Sequence, residues 1–118
     1  MEASSAVWAV IEAGSSRGLL TAHAVTTIHY LIRRQLGALK AKRAVAAMLR
    51  VFGVAAVDGA VIQLALELPL ADFEDAVSAA AAQLAGCECI VTRDPAGLGA
   101  SPVRCLSPEA AVPLLHGR

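Results

Sequence analysis

The sequence contains few aromatic residues, and it has no long apolar segment. One Trp, one Tyr and two Phe occur among its 118 residues. No apolar run reaches the roughly 18 uncharged residues that a membrane-spanning helix needs. Near the N-terminus, Glu2 stands where a secretory signal would carry Lys or Arg. On these grounds we expect a cytoplasmic protein.

Cysteine is also scarce. Cys87, Cys89 and Cys105 are too few and too closely spaced for a disulfide framework. A structural zinc site needs about four nitrogen or sulfur ligands, and no histidine lies near the Cys-x-Cys pair. We therefore interpret the three thiols as buried side chains that act as small hydrophobes.

The chain is rich in small aliphatic residues instead. Hydrophobic residues make up 57% of the sequence, and 26 positions are alanine. Side chains of this size allow helices to pack closely, and 118 residues are enough for one core but too few for two. We predict a single domain over residues 1–118.

The formal net charge of zero hides two oppositely charged parts of the chain. Between Ala13 and Val57 there is no acid, and between Asp58 and Glu109 eight acids outnumber two basic residues. The basic residues of the first part are Arg17, Arg33, Arg34, Lys40, Lys42, Arg43 and Arg50. Either the two parts neutralise each other in the fold or in an oligomer, or a basic surface grips a polyanion beside an acidic pocket that does chemistry on it.

Apolar periodicity predicts helices that alternate with short strands. Helices are expected at 2–16, at 26–37, where Gly37 ends the helix, at 38–52, from the N-cap Asp58, from Asp72 to about Gly86, and from the N-cap Ser107. Strands are expected at 18–25, which we interpret as a buried strand, and at 54–57, 87–92 and 103–106. This alternation predicts an α/β fold, a parallel sheet of about four strands with helices on both faces.

Four acids cluster around the fifth helix and the strand after it: Asp72, Glu74, Asp75 and Asp94. At 100° per residue, Asp72 and Asp75 share a side of the helix that Glu74 does not. Asp72 is also placed as the N-cap, with Asp75 at the third helical position that the helix dipole favours. Asp94 follows Thr92 at the carboxyl end of a parallel strand, which is where open α/β sheets bind ligands. Alternatively, Asp94 only forms a turn, since Asp before Pro is common in turns.

The segment DFEDAVSAAAAQLAGCECIVTRDPAGLGASPVRCLSPEAAV resembles the C-terminal half of a PIN domain, and EAGSSRGLLTAHAVTTIHYLIRRQLG resembles that family's second strand and following helix. The resemblance implies a nuclease module in which three or four acids bind Mg²⁺ or Mn²⁺ and cleave RNA. Asp75 corresponds to the family's third acid and Asp94 to its fourth, and Asp72 would assist them.

The sequence departs from the family at two acids. The family's first strand, which ends in an Asp, has no counterpart because the chain begins in the first helix, so we predict an N-terminally truncated PIN-like domain. The second acid is replaced by Thr26 or Thr27. Metal-assisted hydrolysis needs enough carboxylates to hold the ion and activate a water.

Two functional hypotheses follow. In the first, the chain is a toxin-type ribonuclease: Asp75 and Asp94 bind Mg²⁺ or Mn²⁺, and five basic residues hold RNA phosphates, namely Arg33, Arg34, Lys40, Lys42 and Arg43. In the second, it is an inactive PIN-like scaffold that binds RNA or a protein partner of the antitoxin type. The two missing acids favour the second.

The resemblance also has a consequence for assembly. The absent first strand would lie between the strand Leu19 to Ala24 and the strand Glu88 to Thr92, so its loss leaves two inner edges whose backbone groups need partners. We expect a homodimer with Trp8 and the first helix near the interface. His23 and His29 have no acid partner within local sequence reach, and we interpret both as packed or surface residues rather than catalysts.

Overall fold

A computed structural model describes residues 3–14 and 16–116 of the chain. Its helices are α1 (Ala3–Glu12), α2 (Ala22–Leu36), α3 (Ala38–Val51), α4 (Gly59–Glu67), α5 (Phe73–Leu84) and α6 (Pro108–His116). Its strands are β1 (Leu19–Thr21), β2 (Gly53–Ala55), β3 (Cys89–Val91) and β4 (Arg104–Leu106), and a 3-10 helix spans Pro95–Leu98. The predicted α/β fold is confirmed, with short strands.

The four strands form two separate parallel sheets. β1 pairs with β2, so that Leu19 lies opposite Gly53, and β3 pairs with β4, so that Ile90 lies opposite Cys105. Within the described residues no backbone ladder joins β1 to β3. The two sheets therefore replace the single four-stranded sheet expected from the sequence, and they are divided at the position where the PIN resemblance places one more strand.

The first strand is shorter and more exposed than predicted. Residues 22–25 are helical, because Thr21 caps α2 with a side-chain oxygen that accepts the N–H of Ala24 at 3.0 Å. None of the β1 residues is buried. Residues 18–25 therefore do not form the single buried strand that the sequence predicts, because Thr21 among them is the N-cap of α2.

Helix boundaries follow local capping chemistry. Asp58 accepts the N–H of Val61 at 3.1 Å, and Ser107 accepts the N–H of Ala110 at 3.2 Å. Gly37 ends α2 with a φ of 91°, in the left-handed region that glycine adopts without a steric penalty. These three predictions are confirmed.

The main core consists of small side chains between α4 and α5. It is formed by Ala55, Val61, Ala65, Ala76, Ala80 and Ala81, and Leu19 of β1 packs against it. A second cluster joins Val10 of α1 to Ala111 and Leu115 of α6, with Leu106 of β4 alongside. The alanine-rich α5 is therefore the helix around which the central part of the chain packs.

Helix α1 also contacts the first sheet. The ring of Trp8 packs edge-on against Phe52, which precedes β2, with centroids 4.8 Å apart and ring planes at 73°. Trp8 thus has an intramolecular partner, and the predicted homodimer interface near it stays a prediction. The three cysteines are free and half-buried, not buried as expected. Among the described residues, no helix combines the length and apolar character needed to cross a bilayer.

Candidate metal and nucleic-acid site

Helices α2 and α5 begin side by side. Nε2 of His23, in the first turn of α2, lies 3.1 Å from Oε1 of Glu74, in the first turn of α5. Both side chains are largely exposed, at 63% and 68%. This contact joins the basic and acidic parts of the chain. Glu74 lies 51 residues from His23 and therefore outside the local sequence reach in which no acid partner was expected, and the exposed side chain of His23 agrees with the surface position predicted for it.

The side chain of Asp72 caps the N-terminus of α5. Its Oδ1 accepts the backbone N–H of Asp75 at 3.1 Å, as the N-cap interpretation predicted. This hydrogen bond satisfies one of the free N–H groups at the helix start. The assisting role of Asp72 in catalysis stays a prediction.

Asp75 and Asp94 converge on Gly97, in the 3-10 helix after β3. A Cβ built on Gly97 would lie 3.1 Å from Oδ2 of Asp94 and 3.7 Å from Oδ2 of Asp75. The two carboxylates thus border the same small space, beside a residue that has no side chain to fill it. Sequence reasoning paired the two acids but missed Gly97, for which the only signal was a glycine three residues after Asp94.

The acids also affect one another electrostatically. Burial raises the pKa of the Asp75 carboxyl above its usual value of 3.8, and the negative charges of Asp72, Asp94 and Glu74 raise this pKa further. Neighbouring negative charges disfavour the ionised form of a carboxyl group, and a bound cation offsets this repulsion. The local field therefore favours a cation between Asp75 and Asp94.

Asp75 and Asp94 supply only part of the ligands that a hard cation needs. In the stretches 3–14 and 16–116, no group of three or more His, Cys, Asp or Glu residues is placed to hold a metal ion. Mg²⁺ is usually held by one or two carboxylates and keeps several waters. Asp75 and Asp94 meet that requirement, but they do not form a dedicated protein cage.

The threonines at the position of the family's second acid are directed at His23. Thr26 Oγ1 donates to the His23 carbonyl oxygen at 2.9 Å, and Thr27 Oγ1 lies 3.4 Å from His23 Nε2. Neither side chain is ionisable, so the start of α2 adds no negative charge to the site.

The predicted RNA-binding residues lie together at the α2–α3 corner and are all exposed; they are Arg33, Arg34, Lys40, Lys42 and Arg43. The cationic side chains in the last turn of α2 interact favourably with its dipole, whereas Lys40 in the first turn of α3 does not. A rise of 1.5 Å per residue places Arg33 about 15 Å along α2 from His23. The structure therefore groups the basic residues but separates them from the acids.

Open α/β folds bind ligands outside the carboxyl ends of parallel strands, and Asp94 lies at such an end, after β3, beside Asp75 of α5. The sequence profile of the family described as PIN domain matches residues 1–96. The chain belongs to this family, and both Asp75 and Asp94 lie inside the matched region. No curated protein and no solved structure matches the chain.

Proposed function

We propose that this chain is an RNA-binding PIN domain with a weak site for Mg²⁺ or Mn²⁺ and, as it stands, little or no ribonuclease activity. The observation that carries this proposal is the convergence of the Asp75 and Asp94 carboxylates on Gly97, while among the described residues no group of three or more ligands is placed to hold a metal ion. Two carboxylates attract a divalent cation, but they leave most of its coordination to water.

Asp75 and Asp94 are the residues that would hold the ion. A bound Mg²⁺ or Mn²⁺ supplies charge stabilisation at a phosphate and a water that ionises more readily. The chain's own contribution is to keep the two carboxylates close together on a fixed helix start, which Asp72 caps. Thr26 and Thr27 add no carboxylate, which supports weak binding rather than efficient hydrolysis.

The exposed basic residues at the α2–α3 corner support the proposal of an RNA partner. Within the described residues, no ion pair is found for Arg33, Arg34, Lys40, Lys42 or Arg43. Lys40 at the start of α3 is unfavourable for the helix, so its charge is better explained by a polyanion than by helix stability. A single strand of several nucleotides would span the distance from this corner to the acids.

RNA binding is tested by salt dependence. A filter-binding assay with a single-stranded RNA should show affinity that falls steeply with salt, because each phosphate contact releases counterions. The double variant Arg33→Gln, Lys40→Gln should lower the slope, whereas the matched variant Arg93→Gln, Arg104→Gln outside the corner should change it less. A flat salt response would overturn the RNA proposal and favour neutralisation within the protein.

Metal binding is tested by calorimetry with Mn²⁺. The chain should bind Mn²⁺ weakly, and Asp75→Asn and Asp94→Asn should each weaken binding further. Equal binding by the chain and by Asp75→Asn would remove Asp75 from the site. Rapid RNA cleavage that requires Mn²⁺ and is lost in both variants would instead establish a toxin-type ribonuclease.

A second candidate function is a scaffold that binds a protein partner, of the kind that an antitoxin represents. It is favoured by large apolar side chains that the α2–α3 hairpin leaves exposed, including Tyr30, Leu36 and Leu39. Such side chains beside a basic corner suit an acidic amphipathic helix. Salt-insensitive RNA binding together with saturable binding of such a helix would favour this candidate over the first.

A further inference from the structure

One stripe of α2 connects the start of α5 to the basic residues at the α2–α3 corner. Its four exposed residues are spaced by four, three and four positions: His23, Thr27, Tyr30 and Arg34. This spacing places them on one face of a helix. Thr27 Oγ1 lies 3.4 Å from His23 Nε2, and His23 in turn contacts Glu74 in the first turn of α5. The stripe therefore runs from the acids to the basic corner.

Tyr30 lies at the centre of the solvent-facing side of α2. It is 58% exposed, whereas the half-buried residues Val25, Ile28 and Ile32 lie on roughly the opposite side of the helix at 100° per residue. Among the residues that the structure describes, no ring or cation stacks on Tyr30, and no hydrogen bond reaches its hydroxyl group. The ring is therefore available to a ligand.

The neighbours of Tyr30 on the helix surface are all polar or cationic. Residues three and four positions apart are adjacent on a helix. For Tyr30 these positions hold Thr26, Thr27, Arg33 and Arg34. A helix face that docks on another protein's apolar groove carries apolar anchors at these spacings instead. Exposed aromatic rings among basic side chains are typical of surfaces that bind single-stranded nucleic acid, because bases stack on the rings and cations follow the backbone.

The charge around Tyr30 favours a polyanion as the occupant. No acid occurs in the sequence between Ala13 and Val57, and in the described ranges neither Arg33 nor Arg34 forms an ion pair. An acidic peptide would satisfy these charges too, but it has no group that needs a flat aromatic surface at Tyr30. A nucleic acid strand supplies both phosphates and flat bases.

The order of the residues along α2 fits a strand that runs toward the acids. A rise of 1.5 Å per residue places Tyr30 about 6 Å from Arg34 and about 10 Å from His23 along the helix axis. The Cα–Cβ bonds of a helix tilt toward its N-terminus, so the side chain of Arg34 leaves the helix in the direction of Tyr30. An RNA strand held by a phosphate at Arg34 would therefore pass over the ring of Tyr30 before it reaches the start of α5.

We propose that Tyr30 is a base-stacking site for single-stranded RNA, placed between the phosphate contacts of the basic corner and the carboxylates near the start of α5. The ligand is an unpaired base of any identity, because every base has a π-face. Bases within a duplex are already stacked on each other, so the site selects single strands. The inference rests on the proposed RNA binding, to which it adds a residue that contacts a base instead of a phosphate.

The test is a fluorescence-anisotropy titration of the whole chain with labelled decauridylate in EDTA, at several salt concentrations. Tyr30→Leu removes the ring but keeps an apolar side chain that favours a helix, and Tyr30→Phe keeps the ring. The matched control is Leu31→Ala, which changes a side chain of similar exposure, 49%, about 100° around the helix. A decamer of abasic ribose phosphates retains the phosphates and lacks every base.

Tyr30→Leu should bind decauridylate at least about fivefold more weakly than the wild type. Its salt dependence should be unchanged, because no phosphate contact is lost. Tyr30→Phe and Leu31→Ala should bind as the wild type does, and Tyr30→Leu should not weaken binding of the abasic decamer. Independently of affinity, decauridylate containing 5-iodouridine should photo-cross-link to Tyr30, the sole tyrosine of the chain, which mass spectrometry identifies.

Equal binding of decauridylate by Tyr30→Leu and the wild type, with steep salt dependence and no cross-link at Tyr30, would overturn the stacking site and leave the RNA proposal intact. Absent binding or a flat salt response would overturn both. Equal losses in Tyr30→Leu and Leu31→Ala would overturn the site by assigning the effect to apolar surface in general. An acidic amphipathic peptide whose binding requires Tyr30, while RNA binding does not, would also overturn it by assigning the ring to a protein interface.

Discussion

His23 Nε2 lies 3.1 Å from Glu74 Oε1, across the two helices that begin at the acidic rim. The two residues are 51 positions apart in the sequence, yet their contact shows that α2 and α5 begin side by side. It therefore links the basic part of the protein to the site formed by Asp75 and Asp94.

The His23–Glu74 pair should contribute little free energy. Both side chains are exposed, so water and salt screen the attraction, and we expect a coupling below about 1 kcal/mol. A double-mutant cycle with His23→Ala and Glu74→Ala, measured by urea unfolding, gives this coupling directly. A coupling several times larger would mean that the pair is more rigid than its exposure indicates.

The cap of α5 should stabilise the fold more than the His23–Glu74 contact does. Asp72→Ala removes the side-chain acceptor for the Asp75 N–H and should lower the free energy of unfolding by about 1 kcal/mol. Asp72→Ser retains a capping oxygen and should recover most of that loss, which chemical denaturation will show. If Asp72→Ser is as unstable as Asp72→Ala, the negative charge of Asp72 and not its cap is what stabilises the helix.

Asp75 should make stability depend on pH. Its pKa is raised above 3.8 by burial and by neighbouring acids, so the protonated form favours the folded state. This contribution is fully present below the unfolded-state pKa and is lost as the pH rises through the folded-state pKa. Asp75→Asn lacks this loss. As the pH increases from acid to neutral, the unfolding free energy of Asp75→Asn should therefore rise relative to that of the wild type. If the unfolding free energies of both proteins, measured by urea denaturation, change equally across this pH range, Asp75 is not the source of the pH dependence.

Gly97 should be needed for the site and not for the fold. In Gly97→Ala, the new methyl group would lie 3.1 Å from Oδ2 of Asp94 and must displace this exposed carboxylate. We expect Mn²⁺ affinity to fall several-fold by calorimetry, with little change in the melting temperature. Gly59→Ala, where a Cβ meets nothing within 4 Å, is the matched control and should bind Mn²⁺ as the wild type does.

The α4–α5 contact should tolerate no larger side chain. Ala80 is fully buried, and Ala80→Leu inserts three carbons into a close-packed interface, which should cost about 1–3 kcal/mol of unfolding free energy. Ala85→Leu, at an exposed position just after α5, is the control and should be nearly neutral. Equal stability of the two variants would show that α4 and α5 pack loosely.

The sequence alone determined most helix boundaries, because caps and helix ends depend on near neighbours, but residues 22–25 were predicted as strand and belong to α2. Asp58, Asp72, Ser107 and Gly37 act within three or four residues of their own positions, and each was identified correctly. The pairing of Asp75 with Asp94 also followed from local structure, since a helix and the strand it leads into must share a rim. These inferences needed no knowledge of distant contacts.

Only the tertiary structure decided how distant segments meet. The His23–Glu74 pair, the space beside Gly97 and the division into two sheets depend on how α2, α5 and the four strands pack in three dimensions. The sheet was predicted as one because helix–strand alternation specifies parallel strands but not which strands hydrogen-bond to each other. That choice depends on whether two edges come within hydrogen-bonding distance, and in this chain β1 and β3 do not pair.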